Sequence, residues 1–267
     1  MNVIIVLFNS KDVITRCLNA LNDAACIADK QCKVYCVDNQ PDALWPNLEF
    51  EDNFSHLNVF PICADDNSGF SGGCKIAIDT YGINSEVLLL NPDAFVSHDF
   101  FLRLMPDIQK FHYVANLLVG TTAVSEVEDI ATRNAGKMPE AYTFRNHSVI
   151  SPDSVFEDMR VWPLAACLYI KTDLRLSDLF EMPFFLTMEE PVLVKKMAAI
   201  VYFSGATVVH EGGHSYASRV NEFEFHVESL SQYRNLFSFS FPERVKLFMS
   251  VLKLKLLIKI NKLFQRI

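Results

Sequence analysis

The chain has 267 residues, half of them hydrophobic, with 22 phenylalanines and a formal net charge of −8. This size and composition suit one large domain with a substantial core, and the negative charge argues against a general nucleic-acid binder, which would normally show a basic footprint. Residues 244–267 differ, since they contain seven Lys or Arg and no acid. We therefore predict a folded body over residues 1–240 and a basic helical tail over residues 241–267.

The seven cysteines include no C-x-x-C pair, and several of them, such as Cys36 and Cys63, lie in apolar runs. We interpret them as reduced, mostly buried thiols of a protein in a reducing compartment. The chain opens directly on an apolar strand without a signal-peptide pattern, and no uncharged apolar window reaches about 18 residues. These features predict a cytoplasmic protein without a membrane-spanning helix.

Strands and helices alternate through the first half of the chain. Short apolar runs rich in β-branched residues predict strands over residues 3–8, 34–37, 58–63 and 86–90. Helical spacing predicts a helix capped by Ser10 and another over residues 74–81. In the second half we predict strands over 114–120, 166–171, 200–203 and 207–209, a loop-rich stretch over 129–158, and helices over 190–199 and from 221 onward. This order predicts an α/β fold with a mostly parallel sheet flanked by helices.

Four polar residues follow predicted strands of this sheet, namely Asn9, Asp38, Asn67 and Asp93. Sheets of this kind bind ligands beyond the carboxyl ends of their strands. The convergence of these residues at that edge is the first indication of function.

Two segments at this edge have chemistry that suits a phosphate ligand. Asp93 ends an Asn-Pro-Asp sequence after an apolar strand, and a carboxylate there can bind a divalent cation that neutralises a diphosphate. Residues 67–73 (N-S-G-F-S-G-G) precede a helix and can bring backbone amides close to an anion. Each segment also has a plainer explanation, a strand-ending turn for the first and a glycine turn without a ligand for the second.

Two later segments carry acids and histidines. Glu189 and Glu190 follow an aromatic run, where one of them would serve as a general base with a raised pKa, or both would be ordinary partners of a helix dipole. His210 begins the sequence H-E-G-G-H and could complete a metal site. The adjacent glycines disfavour the helix that the zinc-protease motif H-E-x-x-H requires, so we reject that alternative.

Taken together and in this order, these segments resemble glycosyltransferase family 2, specifically its bacterial rhamnosyltransferase-like branch. That family shows a strand ending near Asn, then V-D-N, N-x-G-F-x-G-G, a strand ending in N-P-D, F-x-x-x-E-D and H-x-x-G-x-S. The corresponding segments here are residues 8–9, 37–39, 67–73, 90–93, 185–190 and 210–215. The resemblance covers roughly residues 1–235.

The resemblance implies a GT-A fold and transfer of a sugar, with inversion, from a UDP- or dTDP-linked donor. It implies that Asp38 contacts the nucleobase, that Asp93 and His210 hold Mg²⁺ or Mn²⁺, and that Glu190 takes the proton of the acceptor hydroxyl. The donor-binding residues that it implies are Phe8, Asn9, Asp38, Asn67, Gly69, Gly72, Gly73, Asn91 and Asp93. The candidate acceptor-binding residues are Trp162 and His214.

The chain departs from the family at several positions. Glu190 stands where Asp is common, Val192 occupies a position that is often acidic, and N-P-D replaces the wider family's D-x-D. The base therefore stays open between Glu189 and Glu190, and a catalytically inactive sugar-nucleotide-binding or scaffold protein of the same fold stays an alternative. A nucleotidyltransferase is a third class, but residues 8–12 offer only Lys11 without the glycines of its loop.

The tail has the pattern of an amphipathic helix. Its basic residues at helical spacing are Lys255, Lys259, Lys262 and Arg266, and the apolar residues on the other side are Leu256, Leu257, Ile260, Leu263 and Phe264. Such a helix can lie in an anionic membrane surface, where each basic residue contributes about 1 kcal/mol, or can pack on protein. With the resemblance, this predicts a peripheral protein on the inner face of the cell membrane. Its acceptor would be a lipid-linked glycan of a surface polysaccharide such as O-antigen, with rhamnose as the candidate sugar.

Overall fold

The computed structural model describes residues 1–40, 54–120, 154–156, 165–185, 189–197, 201–211, 219–236, 238 and 241–264. The strands of this part of the chain are β1 (Asn2–Leu7), β2 (Cys32–Asp38), β3 (Leu57–Cys63), β4 (Glu86–Leu90), β5 (Ala94–Val96), β6 (Tyr113–Gly120), β7 (Ser154–Phe156), β8 (Cys167–Lys171) and β9 (Val201–His210). The helices are α1 (Lys11–Ile27), α2 (Gly69–Tyr81), α3 (Phe100–Ile108), α4 (Leu176–Leu179), α5 (Glu189–Met197), α6 (Arg219–Leu236) and α7 (Phe241–Phe264).

The strands form one sheet in the order β3-β2-β1-β4-β8-β6-β9-β5, with β7 also paired to β9. Strands β1 to β4 are parallel to one another, and β6 is parallel to β9. Strand β8 lies antiparallel between β4 and β6, while β5 and β7 lie antiparallel to β9. Six strands (β1, β2, β3, β4, β6 and β9) therefore run in one direction, which confirms the predicted α/β fold with a mainly parallel sheet.

Helices cover both faces of the sheet because its central strands are apolar on both sides. In β1, Val3, Ile5 and Leu7 pack in a cluster with α1 and α3. The alternate residues Ile4 and Val6 pack in a second cluster with α2, α4 and α5. Successive side chains of a strand point to opposite faces, so an uninterrupted apolar run such as β1 requires a helical layer on each side.

The structure corrects several predicted boundaries. Helix α2 begins at Gly69 rather than at residue 74, because packing overrides the low helix propensity of its glycines. The two short strands predicted over 200–209 are the single strand β9, which pairs with β6 across an irregularity where Asn116 faces Ser204 and Leu117 faces Thr207. Strand β5 and helix α3 were not predicted, and strand β7 lies within the stretch that was predicted as loop-rich.

Two local predictions also need correction. Ser10 precedes α1, but its hydroxyl bonds back to the backbone of Phe8 and does not cap the helix. All seven cysteines are free, and five are buried as predicted, whereas Cys26 and Cys63 are exposed. Cys63 is exposed because it ends β3, the strand at the edge of the sheet.

Helices α6 and α7 pack on each other beside α5. Leu247 of α7 joins a buried cluster with Leu230 and Tyr233 of α6, Val192 of α5 and the loop residue Phe184. Lys262 adds an exposed ion pair to Glu224 of α6 at 2.7 Å. No helix in the described part of the chain is long and apolar enough to cross a membrane.

Helix α3 has one buried face and one exposed face, and substitutions on the two faces should affect stability differently. Leu104 is fully buried against the sheet, while Leu102 of the same helix is 55% exposed. We expect Leu104→Ala to lower the free energy of unfolding by about 2–5 kcal/mol, because it leaves a cavity, and Leu102→Ala to change it by less than about 0.5 kcal/mol. Urea unfolding measures both, and equal losses in the two variants would contradict this orientation of α3.

Candidate functional site

The predicted functional segments lie at one edge of the sheet. This edge holds the carboxyl ends of β1, β2, β3, β4, β6 and β9, since these strands share one direction. Strand β8 runs the opposite way, so residues 165–166, which precede it, lie at the same edge. The backbone N–H of Asn91 donates to the carbonyl of Ala166 at 2.8 Å, which ties the end of β4 to the start of β8. The edge is where a sheet of this kind binds its ligand.

Asp93 and His210 come together at this edge through the pairing of two strands. Strand β5 pairs antiparallel with β9 in a register that sets Ala94 opposite His210, so Asp93 lies beside the histidine. The N–H of Glu211 donates to the backbone carbonyl of Asp93 at 3.1 Å and extends this pairing. Both side chains are largely buried, with 6% of the Asp93 side chain and 16% of the His210 side chain exposed.

The imidazole of His210 and the carboxylate of Asp93 lie close enough together to bind one cation between them. His210 Nε2 lies 3.2 Å from Asp93 Oδ1. Nε2 nevertheless has no hydrogen-bond partner among the residues that the structure describes. A carboxylate and an imidazole are suitable ligands for Mn²⁺ or Mg²⁺. The described residues contain no group of three His, Cys, Asp or Glu that could hold a metal.

The glycine segment 67–73 is held to the end of β2 by side-chain amides. Asn39 donates from Nδ2 to the carbonyl of Gly69 at 2.9 Å and accepts from the Ser68 hydroxyl at 3.3 Å. Asn67 Oδ1 accepts from the N–H of Gly69 at 3.2 Å. The segment is therefore rigidly placed at the N-terminus of α2.

The glycines of this segment are required by packing. At Gly69, which has φ +72°, a Cβ would overlap the backbone carbonyl of Phe185, and at Gly73 a Cβ would lie 2.7 Å from Val6 of β1. At Gly72 it would lie 2.6 Å from the side chain of Ser68. The absence of side chains here lets α2 approach the sheet and its neighbours. The backbone N–H groups of Gly69 and Phe70 already donate to Asn67 Oδ1 and to the carbonyl of Phe185.

The same segment is bonded to the residues that precede α5. Phe70 donates its N–H to the carbonyl of Phe185 at 3.1 Å, and the hydroxyl of Ser71 donates to the carbonyl of Phe184 at 3.3 Å. Phe185 also stacks on Phe225 of α6, with ring centroids 5.2 Å apart. The backbone at Phe184 and Phe185 therefore contacts the glycine segment and lies shortly before the two glutamates in the chain.

The ends of β1 and β2 are joined at the mouth of the site. Asp38 is fully buried, and its Oδ1 accepts from the N–H of Gln40 at 3.1 Å. Gln40 in turn donates from Nε2 to Asn9 Oδ1 at 2.7 Å. Asn9 is exposed and has a left-handed backbone, with φ 54°, and it follows the half-buried Phe8. Asn9 and Phe8 therefore reach the surface at this edge, whereas Asp38 is buried.

Glu189 and Glu190 begin α5 and are both buried, with 3% and 9% of their surface exposed. Glu190 Oε1 accepts from the N–H of Ala165 at 2.8 Å. This hydrogen bond favours the ionised form and opposes burial, which raises the pKa of Glu190. Glu189 Oε1 has no hydrogen-bond partner among the described residues, and burial together with the charge of Glu190 raises the pKa of Glu189 to about 8. At neutral pH, therefore, Glu189 carries a proton, and the hydrogen bond from Ala165 favours the charged form of Glu190.

Tyr113 and Cys74 complete the surroundings of this pair. The Tyr113 hydroxyl is buried without a described hydrogen-bond partner, and its pKa is raised by burial and by the charge of Glu190. The pKa of Cys74 is raised by burial and by Glu189. Both residues lie in the core cluster beneath α5, and this cluster shields the two glutamates from solvent.

The structure brings together Asp93, His210, Glu189, Glu190 and the glycine segment at one edge. Asn91 is half-buried between β4 and β5, while Trp162 and His214 lie outside the described residues. Sequence reasoning missed Gln40, the bonds of Asn39, and Ala165 as the partner of Glu190. Only Asn39 carried a local signal, because it belongs to the V-D-N segment.

Comparisons with known proteins identify the fold. No family model matches the chain, and no curated protein matches its sequence. The mannosyltransferase PcManGT from Pyrobaculum calidifontis, solved with GDP-Man and Mn²⁺, has a TM-score of 0.55 and 13% identity, over 96% of this chain and 69% of its own. TarS 1–349 of S. aureus, solved with UDP-GlcNAc, has a TM-score of 0.53 and 14% identity, over 95% of this chain and 71% of its own. The chain therefore has a GT-A-like fold.

The contact between Gly69 and Phe185 makes a prediction with a matched control. We expect Gly69→Ala to lower the free energy of unfolding by about 3 kcal/mol or more, because the new methyl group overlaps a backbone carbonyl and strains a positive φ. Gly82 has φ +63°, but nothing lies within 4 Å of a Cβ there. Gly82→Ala should therefore cost only about 1 kcal/mol. Urea unfolding compares the two variants, and equal costs would contradict the packing described here.

The raised pKa of Glu189 makes stability depend on pH. Because this pKa moves from 4.5 to about 8 on folding, the stabilisation is full below pH 4.5 and is lost as the pH rises through about 8. The glutamine side chain in Glu189→Gln does not ionise, so its contribution to stability does not change over this pH range. We expect its free energy of unfolding to fall less than that of the wild type between about pH 5 and pH 8.5, by a few kcal/mol. The exposed Glu181→Gln should keep the wild-type profile, and three parallel profiles would contradict the assignment.

Proposed function

We propose that this chain is an inverting glycosyltransferase that moves a sugar from a nucleoside diphosphate to an acceptor hydroxyl. The observation that carries the proposal is the meeting, at one sheet edge, of the Asp93–His210 pair and a buried glutamate pair. A leaving diphosphate needs a cation, and an attacking hydroxyl needs a base, so the two pairs match the two requirements of this reaction. The GT-A-like fold supports the proposal, since structures with this fold include transferases solved with GDP-Man or UDP-GlcNAc.

The donor would lie along the ends of β1, β2 and β4. We assign the nucleobase to Asp38 and to the outer residues Phe8 and Asn9, because these lie at the ends of β1 and β2, across β4 from the start of β8, where Glu190 is bonded. The diphosphate would lie near Asn91 and Asp93 and the glycine segment 67–73. The N-terminus of α2 favours an anion there. A UDP- or dTDP-linked sugar is the donor that we propose.

Asp93 and His210 would hold Mg²⁺ or Mn²⁺ in this site. The buried Nε2 of His210, 3.2 Å from Asp93 Oδ1 and without a hydrogen bond among the described residues, fits a shared cation. A bound cation would neutralise the negative charge that the diphosphate gains as it leaves. The β5–β9 pairing fixes both side chains before the donor arrives, which limits the reorganisation that binding requires.

Glu190 is the base that we propose, with Glu189 as its protonated neighbour. The acceptor oxygen forms a bond to the anomeric carbon while the bond from that carbon to the diphosphate oxygen breaks. The proton of the acceptor hydroxyl passes to the Glu190 carboxylate, and the nucleoside diphosphate leaves with the bonding electrons. Burial raises the pKa of Glu190 and strengthens it as a base, while the hydrogen bond from the Ala165 N–H favours its ionised form.

The acceptor that we propose is a lipid-linked glycan of a surface polysaccharide, with rhamnose as the transferred sugar and Trp162 and His214 as acceptor contacts. These details come from the family resemblance of the six sequence segments. The fold and the two side-chain pairs carry the reaction class and do not depend on these details.

Calorimetric titration of the full chain with UDP, dTDP and GDP, with and without Mn²⁺, tests the donor site. We expect one nucleotide to bind in a Mn²⁺-dependent way, and Asp93→Ala to weaken that binding by about a hundredfold because the cation loses its carboxylate ligand. Asp79→Ala is the matched control, since Asp79 is an exposed acid paired with Lys75 on α2. If no nucleotide binds, or if both variants bind like the wild type, the donor site is wrong.

Turnover of the identified donor separates an enzyme from a non-catalytic binding protein. Glu190→Gln should bind the nucleotide normally and lose about a thousandfold in transfer rate, because a glutamine side chain does not accept the proton. The exposed Glu181→Gln should retain the wild-type rate. Normal nucleotide binding without transfer by the wild type would favour the scaffold alternative.

A further inference from the structure

The last described helix, α7, presents an apolar stripe on the side away from the described elements that it packs against. Its exposed members are Phe241, Val245, Phe248, Met249, Leu252, Leu256 and Ile260, with Phe241 79% exposed and Leu256 58% exposed. These positions recur every three or four residues, so they lie on one face of the helix over its whole length. Exposed apolar patches of this extent on a folded protein mark a site of interaction.

The opposite face of α7 is occupied, which fixes the direction of the stripe. Leu247 is buried in the cluster with Leu230 and Tyr233 of α6, and Val251 and Leu254 pack against the same cluster. Turning the stripe inward would expose these residues to water. This corrects the predicted division of the tail, in which Leu256 and Leu257 shared the side opposite to the lysines. In the structure Leu256 points outward while Leu257 is half-buried.

Exposed lysines border the stripe on both sides. Lys255 and Lys259 follow Leu252 and Leu256 by three residues, which places them along one edge, and Lys253 follows Met249 by four residues along the other. All three lysines are exposed. Residues 244–267 contain no acid, so this positive charge is not offset within the segment.

An apolar stripe bordered by basic residues on both sides is complementary to an anionic lipid surface. We propose that α7 docks on the anionic surface of a lipid bilayer, with the stripe among the headgroups and the lysines on the lipid phosphates. A second copy of this chain fits the same face less well, because apposed stripes would bring the lysine rows of both copies together. The proposal is independent of the proposed reaction.

The docking face lies close to the candidate site. Leu247 of α7 and Val192 of α5 belong to one buried cluster, and Val192 follows Glu190 by two residues. One helix layer therefore separates the lipid-facing stripe from the glutamates.

Vesicle co-sedimentation of the full chain tests this inference. We expect binding to vesicles that contain phosphatidylglycerol, at least about tenfold weaker binding to pure phosphatidylcholine, and release by salt, because the lysines contribute electrostatically. Leu252→Glu should reduce binding to the anionic vesicles by about tenfold or more, since it sets a charge in the inserted stripe. Lys255→Gln should reduce it by about fivefold.

Leu102→Glu is the matched control, because Leu102 on α3 is 55% exposed and Leu252 is 50% exposed. It should bind anionic vesicles like the wild type. Thermal unfolding of Leu252→Glu close to that of the wild type shows that lost binding reflects the surface and not misfolding. The inference is overturned by a wild type that ignores both kinds of vesicle, by equal loss in Leu102→Glu, or by a wild-type dimer that Leu252→Glu converts to a monomer.

Discussion

The contact between the start of α2 and the Phe184–Phe185 backbone is the constraint on which the candidate site depends. Gly69 lies so close to the carbonyl of Phe185 that no side chain fits between them, and Phe70 and Ser71 donate hydrogen bonds to these two carbonyls. The contact joins the segment that would receive the diphosphate to the segment that leads into the glutamates. A shift of the backbone at Phe184 or Phe185 therefore disturbs the start of α2, and the reverse also holds.

The glutamate pair shows how the fold keeps a charge in its interior. Two adjacent buried carboxylates repel each other, and burial alone disfavours ionisation of both. The Ala165 N–H stabilises the charge on Glu190, and Glu189, with an oxygen that lacks a described partner, retains its proton. The two carboxyl groups thus lie in water-poor surroundings, and the cost of ionising Glu189 makes the folded state less stable as the pH rises.

The sequence predicts local features of this molecule well and long-range ones poorly. Strands β1 to β4 follow from apolar runs that end at or near Asn or Asp, and these are short-range signals. The start of α2 was missed because the propensity of Gly69 opposes a helix, and only the contact with Phe185, more than a hundred residues away, overrides it. Ala165 as the partner of Glu190 depends on where β8 begins in the sheet, which no local pattern encodes.

The tail illustrates the same limit and connects it to function. Helix α7 has apolar residues on all of its faces, so the spacing of these residues does not tell which of them pack on the protein. Packing on α6 decides, because Leu247 fills a cluster that also contains Phe184 and Val192, and the residues left outside form the stripe. The inward face of α7 thus supports the backbone that positions the glutamates, while its outward face meets the bilayer that we propose. Binding at the surface would then act on the same cluster that holds Phe184, so docking and the geometry of the site share one physical support.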